Sequence, residues 1–302
     1  NLLNYAHVYS PYCHRCPYDR QKDDCLSKQN WTCVTDIERS ILELGPENVS
    51  AFIAEPIVGS QQGAVPPPLG YFKKVRELCD RYQILLIIDE VMTGFGRTGT
   101  NFATEQIGIV PDIITFGKGV SAGYAPLAGM IVHDQVIEGI IENSDGKFIH
   151  GYTYSGHPVA VAAGLAALDV YKQESVLENV KKQGPYLFNR LLELKQKHAF
   201  ISDVRGRGLL MGIELVKDRE QDLLFNPAEK AAERLNGIAM DLGAVFYPGS
   251  GSIDGTKGEH LIISPPLNVT KTEMDEIVRI LDESFTIFKL QLRKDELYEI
   301  TK

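Results

Sequence analysis

The sequence predicts an α/β fold in which a mostly parallel central sheet carries helices on both faces and is followed by a smaller α+β region. Three patterns carry that expectation. Apolar runs of strand length alternate with amphipathic stretches in the first half, a long helical region begins at Pro158, and a glycine-punctuated strand reappears only after Asp203.

Residues 1–35 crowd aromatics, Pro11, Pro17 and four of the five cysteines together with no sustained period, so they read as a structured loop. An apolar run at 49–54, a Gly/Pro-rich loop, a helical apolar stripe over 69–82 and a second apolar run at 84–89 then make a βαβ unit. The runs at 112–116 and 127–132 are too continuous for a sheet with one wet face, which is why helices are expected on both sides. Beyond Pro158 come an Ala-rich helix over 159–171 and a longer amphipathic one in which Leu187, Leu191, Leu192 and Leu194 form a stripe. A strand at 209–216, a helix over 227–242, a short strand at 244–247 and a final helix over 271–292 complete the chain. The expected division is a large domain of residues 1–171 and a small C-terminal domain of residues 172–302.

Composition limits the function. Thirty-one Lys and Arg against 40 Asp and Glu give the 302-residue chain a net charge of −9, which offers a nucleic-acid backbone no attraction, and a 44% hydrophobic content excludes a disordered chain. A small-molecule partner is expected. No apolar run approaches the roughly 18 residues that span a bilayer, since 84–88 stops at Asp89 and Glu90, so no membrane partner is expected. The first residues lack the basic start and small-residue cleavage site of a secretory signal, and five cysteines are an odd set for a disulfide framework. A reducing, cytoplasmic setting is the expectation.

Ligands of doubly wound sheets sit beyond the carboxyl ends of the parallel strands, so polar residues where apolar strands stop are the first candidates. Asp89 ends the run 84–88, and Lys118 follows the run 113–116 after a single glycine. If both strands share a sheet, a carboxylate faces a lysine across one crevice. A surface ion pair is the plainer alternative for two such residues.

The surrounding strings decide between them. Ile87-Ile88-Asp89-Glu90-Val91-Met92-Thr93-Gly94-Phe95-Gly96-Arg97-Thr98-Gly99 is followed by Asp112-Ile113-Ile114-Thr115-Phe116-Gly117-Lys118-Gly119, with Glu55-Pro56-Ile57-Val58-Gly59 upstream and Gly151-Tyr152-Thr153-Tyr154-Ser155-Gly156-His157-Pro158 downstream. In this order the four motifs resemble the class III aminotransferases, the ornithine aminotransferase-like or ω-aminotransferase group of pyridoxal 5′-phosphate (PLP) enzymes of fold type I. The resemblance runs from about Ala51 to the last helix, and Val204-Arg205-Gly206-Arg207-Gly208-Leu209 is similar to the family's start of the small domain.

The resemblance implies that Lys118 is the Schiff-base lysine, holding PLP as an internal aldimine and then, as a free amine, moving a proton between the substrate carbon and the cofactor. It implies that Asp89 keeps the pyridine nitrogen protonated. At an effective dielectric of ~20, opposite charges ~4 Å apart attract by about 4 kcal/mol, which is enough to hold a weakly basic pyridine charged at neutral pH. Val91 would pack on the ring face, Glu55 would lie near the cofactor, and Thr153 would reach the phosphate of the neighbouring subunit's cofactor, making a homodimer. Arg97 reads as structural, and His157 beside Pro158 as part of the start of a helix rather than as a base.

Three departures stand out. Ile262, before Ser264-Pro265-Pro266-Leu267, occupies the place of an arginine with which many members grip a substrate carboxylate, which favours pyruvate over 2-oxoglutarate as acceptor. Met92 stands where several relatives carry a glutamine. The family's N-terminal portion, with its phosphate-cupping turn and stacking aromatic, is not recognisable ahead of the matched region. Cys13, Cys16, Cys25 and Cys33 are spaced C-x2-C, x8, C, x7, C, which lacks a second short pair, so buried thiols in a packed loop are expected over zinc and no metal is assigned.

The expected function is therefore transfer of an amino group from an amine or amino acid to a 2-oxo acid, pyruvate favoured. The alternatives are other PLP chemistry on the same residues (decarboxylase, aminomutase or phospholyase) and a cofactor-free fragment acting as a dimerisation scaffold. No substrate-binding residue is assigned.

Overall fold

The computed structural model describes residues 5–18, Cys25 and residues 31–300, with side chains as far as Arg293. The chain divides into two compact units, one of Asn1–Ile57 with Pro66–Val176 and one of Val58–Val65 with Leu177–Lys302. The units part a little beyond the expected 171/172, and Val58–Val65 counts with the second.

The first unit is built on a four-stranded sheet in the order β1 (Ala51–Ala54), β2 (Leu85–Asp89), β3 (Ile113–Phe116), β4 (Gly129–Val132). The pairs β1/β2 and β2/β3 are parallel and β3/β4 is antiparallel. Burial alternates along β2. Leu86 and Ile88 are fully buried while Leu85, Ile87 and Asp89 turn to the other face.

The buried side of β2 packs on α1 (Thr32–Leu44) and α2 (Tyr71–Tyr82), whose inward residues are Ile37 and Ile41 on one and Phe72, Val75 and Leu78 on the other. Truncating one such side chain, Leu86→Ala for example, costs about 3 kcal/mol. A hydrogen-bonded corner fixes the sheet against α2. The Asp112 carboxylate, just before β3, accepts from the Leu86 amide (2.6 Å) and from Arg76 of α2 (2.7 Å).

Helix α1 corrects the sequence reading, which left residues 1–35 as loop and assigned nothing between them and residue 49. Its buried Cys33, Ile37 and Ile41 recur every four residues, a period too short-lived to stand out beside the aromatic and cysteine-rich segment before it. The remaining helices of the unit are α3 (Thr104–Ile107), α4 (Asp134–Asn143) and α5 (Pro158–Gln173). The His157 ring accepts from the Ala160 amide (3.3 Å) as the cap of α5, with Pro158 as its first residue.

The second unit follows α6 (Val176–Lys197) into an antiparallel sheet of β5 (Ile201–Arg207), β6 (Leu210–Leu215), β8 (Glu259–Ile263) and β7 (Tyr247–Ser250), in that order. Helices α7 (Ala231–Asp241) and α8 (Lys271–Ile300) complete this α+β unit. Leu187, Leu191 and Leu194 of α6 are buried as their stripe predicts.

Two strands, β5 and β8, escape the sequence reading because they carry titratable side chains inside. Arg205 donates to the carbonyls of Gly63 (2.8 Å) and Gln62 (2.6 Å) and pairs with the fully buried Glu214 at 3.2 Å. The His260 ring lies 3.1 Å from the Ser60 carbonyl, which only accepts, so Nε2 carries the proton. Burial and the nearby Arg205 push His260 down to about 4, which leaves the ring neutral at pH 7. The short strand expected at 244–247 lies slightly later, at Tyr247–Ser250.

Candidate functional site

The candidate site is the carboxyl edge of the parallel strands in the first unit. Ladder register makes it. Ala54 pairs with Ile88, and Asp89 pairs with Thr115, so Glu55, just past β1, Asp89, the last residue of β2, and Thr115, near the end of β3, lie side by side. Lys118 lies three residues beyond Thr115. By chain reach its Cα is no more than about 16 Å from that of Asp89.

Lys118 opens a 3-10 turn, Lys118–Ser121, with φ +41°, in the left-handed region that costs a side-chain-bearing residue about 1 kcal/mol or more. The side chain is exposed. The glycines on either side let other backbone and side chains close in. A Cβ at Gly117 would lie 3.6 Å from Val91 Cγ2, and one at Gly119 only 3.0 Å from Phe95 Cβ. Val91 is thereby placed against the chain next to Lys118. Behind the turn, Gly164 of α5 lies so close that a Cβ there would stand 2.7 Å from Leu127 and 3.5 Å from the Val120 carbonyl.

Two adjacent carboxylates behave differently. Asp89 is half-buried, and its Oδ1 accepts from the Val91 amide (2.9 Å), which fixes the side chain at the strand end. Glu90 is fully buried and accepts from the amides of Ala103 (3.0 Å) and Thr104 (2.8 Å) and from the Thr93 hydroxyl. It closes the glycine-rich loop 90–104 onto the start of α3. Sequence reasoning missed this role, and the only signal for it was a carboxylate directly following an apolar strand. Arg97 of the same loop is desolvated, which lowers it to about 10 and leaves it charged at neutral pH, with Tyr171 of α5 partly offsetting the shift. Met92 follows Val91 in the turn and is half-buried.

Thr153 is not part of that cluster. It lies in an exposed turn ahead of α5, where the Tyr152 amide donates to Ser155 Oγ (3.0 Å). The stretch around it is apolar and bare, with Ile149 93% and Tyr152 77% exposed. Ile262, in the second unit, is buried on β8 between Gly212 and Tyr247, so a guanidinium at that place would sit in a sheet core. Among the described residues, no group of three or more His, Cys, Asp or Glu side chains is placed to hold a metal ion, and no helix is long and apolar enough to cross a membrane.

The chemistry of this donor set fits PLP: an accessible amine, a carboxylate pinned at a strand end, an apolar Val91 between them and glycine-lined backbone where a planar ring needs room. Comparison with known proteins agrees. The class III aminotransferase profile matches residues 4–285. A putrescine–pyruvate aminotransferase of Pseudomonas aeruginosa is 38% identical over 91% of this chain and 57% of its own. A diaminobutyrate–2-oxoglutarate transaminase of Halomonas elongata is 39% identical over 82% of this chain and 51% of its own. Among solved structures, an amine transaminase from an uncultivated Pseudomonas species, in a PLP-bound form, superposes with a TM-score of 0.82 at 35% identity, covering 92% of this chain and 60% of its own. The chain spans about half to two-thirds of the length of the curated relatives it matches.

Proposed function

The chain belongs to the class III aminotransferase family, whose members are PLP-dependent and of fold type I, and from that premise we propose that it transfers an amino group from an amine or amino acid to a 2-oxo acid. The observation that carries this reading is Lys118, held in a strained left-handed conformation just beyond a parallel strand whose register sets Asp89 beside Thr115, three residues before it. Strained backbone of that kind clusters at functional sites, and here it falls just beyond the strand end where a ligand of such a sheet sits.

Bound PLP supplies an aldehyde that takes up a primary amine and a pyridinium ring that withdraws electrons from it. The chain's own residues do the rest. Lys118 Nζ would hold the cofactor and, once free, would take a proton from the substrate carbon and deliver it two atoms away, to the former aldehyde carbon. Asp89, held by the Val91 amide, would keep a proton on the pyridine nitrogen. Val91 would pack against the cofactor and exclude water, with Glu55 following the neighbouring strand.

Thr153 and its exposed apolar surroundings are read as an interface with a second copy of the chain, in which the hydroxyl reaches the partner's cofactor phosphate. Leu165 of α5, 60% exposed, extends that surface. The proposed acceptor is pyruvate, because Ile262 occupies the place at which many members of the family carry an arginine that grips a substrate carboxylate. The two relatives named above use different acceptors, so comparing initial rates with pyruvate and 2-oxoglutarate tests this directly. Faster transfer to 2-oxoglutarate refutes the pyruvate assignment.

The functional reading is tested by a visible-absorbance scan of the protein with PLP, followed by amine donors added singly. A band absent in Lys118→Ala, bleached by a donor and restored by a 2-oxo acid, is the expected result. A band that donors bleach with release of carbon dioxide points to a decarboxylase instead, and no band at all points to the cofactor-free scaffold.

A further inference from the structure

Four of the five cysteines converge in the first unit. Cys13, Cys16, Cys25 and Cys33 line one cavity of about 20 Å³, together with Tyr12 and Trp31, while Cys79 is buried elsewhere in the core. Among the described residues, none of the five is in a disulfide. Cys13 and Cys16 bracket a 3-10 turn, Cys13–Arg15, closed by the Arg15 amide on the Tyr12 carbonyl (3.1 Å). In a 3-10 turn the side chains at i and i+3 eclipse one another and the residues rise ~2 Å each, so the two Cα atoms stand about 6 Å apart. That is the separation a disulfide spans.

We propose that Cys13 and Cys16 form a redox-active dithiol that exchanges with small-molecule disulfides of the glutathione class. Both residues are half-buried, so a small disulfide has access to them. Cys33 is a poor competitor, because burial and its neighbours Cys13 and Cys25 push its thiol up to about 12 and keep it protonated. A bound metal ion is the other use of clustered thiols, but no set of three or more is placed to ligate one among the described residues.

The exchange balances. One thiol of the pair loses its proton and attacks a sulfur of glutathione disulfide, forming a mixed disulfide and expelling one glutathione thiolate, which takes up a proton. The second thiol loses its proton and displaces the remaining glutathione. Two protein thiols are oxidised to one disulfide while one glutathione disulfide is reduced to two thiols.

Chymotryptic cleavage after Tyr12 and Tyr18 isolates both sulfurs in one peptide, 13–18, free of the other three cysteines. The protein is equilibrated in glutathione buffers of rising disulfide content, unfolded, alkylated with iodoacetamide and mapped by mass spectrometry. The expected result is a 13–18 peptide that is two hydrogens lighter and carries no alkyl group, regains two alkyl groups after reduction, and forms equally in Cys33→Ser. Cys79 stays alkylated throughout. The proposal is overturned if 13–18 carries two alkyl groups in every buffer, if Cys13 or Cys16 is found bonded to Cys25 or Cys33, or if the purified protein holds one zinc per chain.

Discussion

The strand-end cluster around Lys118 and the turn around Thr153 belong to the same unit, yet they are built in opposite ways. Around Lys118 every support comes from within the unit: parallel register aligns Asp89 with Thr115, Glu90 ties the neighbouring loop to α3, and Gly117, Gly119 and Gly164 admit close packing. Around Thr153 the turn is held only by local hydrogen bonds, from the Tyr152 amide to Ser155 Oγ and from the Ser155 amide to the Tyr152 carbonyl, and the apolar residues are bare. The strand-end cluster is thus self-supporting within the unit, whereas the turn at Thr153 carries bare apolar residues, the surface on which the proposed second copy would sit.

Four substitutions probe this contrast. The largest effect is expected from Lys118→Ala, which should lower transfer by about 10⁴-fold or more with an unchanged melting temperature, since the roles proposed for the amine are cofactor attachment and proton transfer. Asp89→Asn should follow at about 10³-fold, the equivalent of the ~4 kcal/mol ion-pair attraction it removes, again without unfolding. Steady-state rates with far-ultraviolet circular dichroism separate these losses from misfolding.

Glu90→Ala sharpens the comparison from the structural side. It leaves two buried amides and a hydroxyl unpaired, so the expected cost is about 3 kcal/mol in denaturant unfolding, with transfer lost only as far as the loop loosens. A Glu90→Ala protein of undiminished stability would show that the loop is not held as described. The smallest effect belongs to the bare region. Thr153→Val should weaken PLP binding about tenfold, the worth of one hydrogen bond to a charged group, and the loss should deepen on dilution as subunits part. Equal PLP affinity in the two proteins at every concentration would remove Thr153 from the site and leave the strand-end cluster as the whole of it.

A fifth expectation concerns the second unit, where acid rather than substitution is the probe. His260 is held neutral by burial, with a pKa near 4 against an ordinary 6.5, so the unfolded chain binds its proton first as pH falls. The contribution of His260 to stability is complete above pH 6.5 and is lost progressively between there and pH 4. Denaturant unfolding across that window should show the loss, and His260→Asn should flatten it.

How much of this was legible in the sequence follows from what each signal needs. Strands β2 and β3 were readable because apolar runs stop on Asp89 and before Gly117-Lys118. The helix over Thr32–Leu44 was hidden by its short period and by the cysteine-rich segment beside it. Strands β5 and β8 were hidden by Arg205, Glu259 and His260, charged or titratable residues that are buried only because partners from other segments meet them there. The same limit applies at the site. Asp89 and Glu90 are adjacent in sequence and chemically alike, and only the fold sends one to the strand mouth and the other inward to three donors.

The most direct measurement is reductive trapping. The protein is incubated with PLP, treated with borohydride so that bound cofactor is fixed to its lysine, and mapped by peptide mass spectrometry. A pyridoxyl label on Lys118 alone, lost in Lys118→Ala and weakened in Asp89→Asn, is the predicted result. A label carried mainly by another lysine, or one that Asp89→Asn leaves untouched, contradicts the pairing of these two residues across a single cofactor.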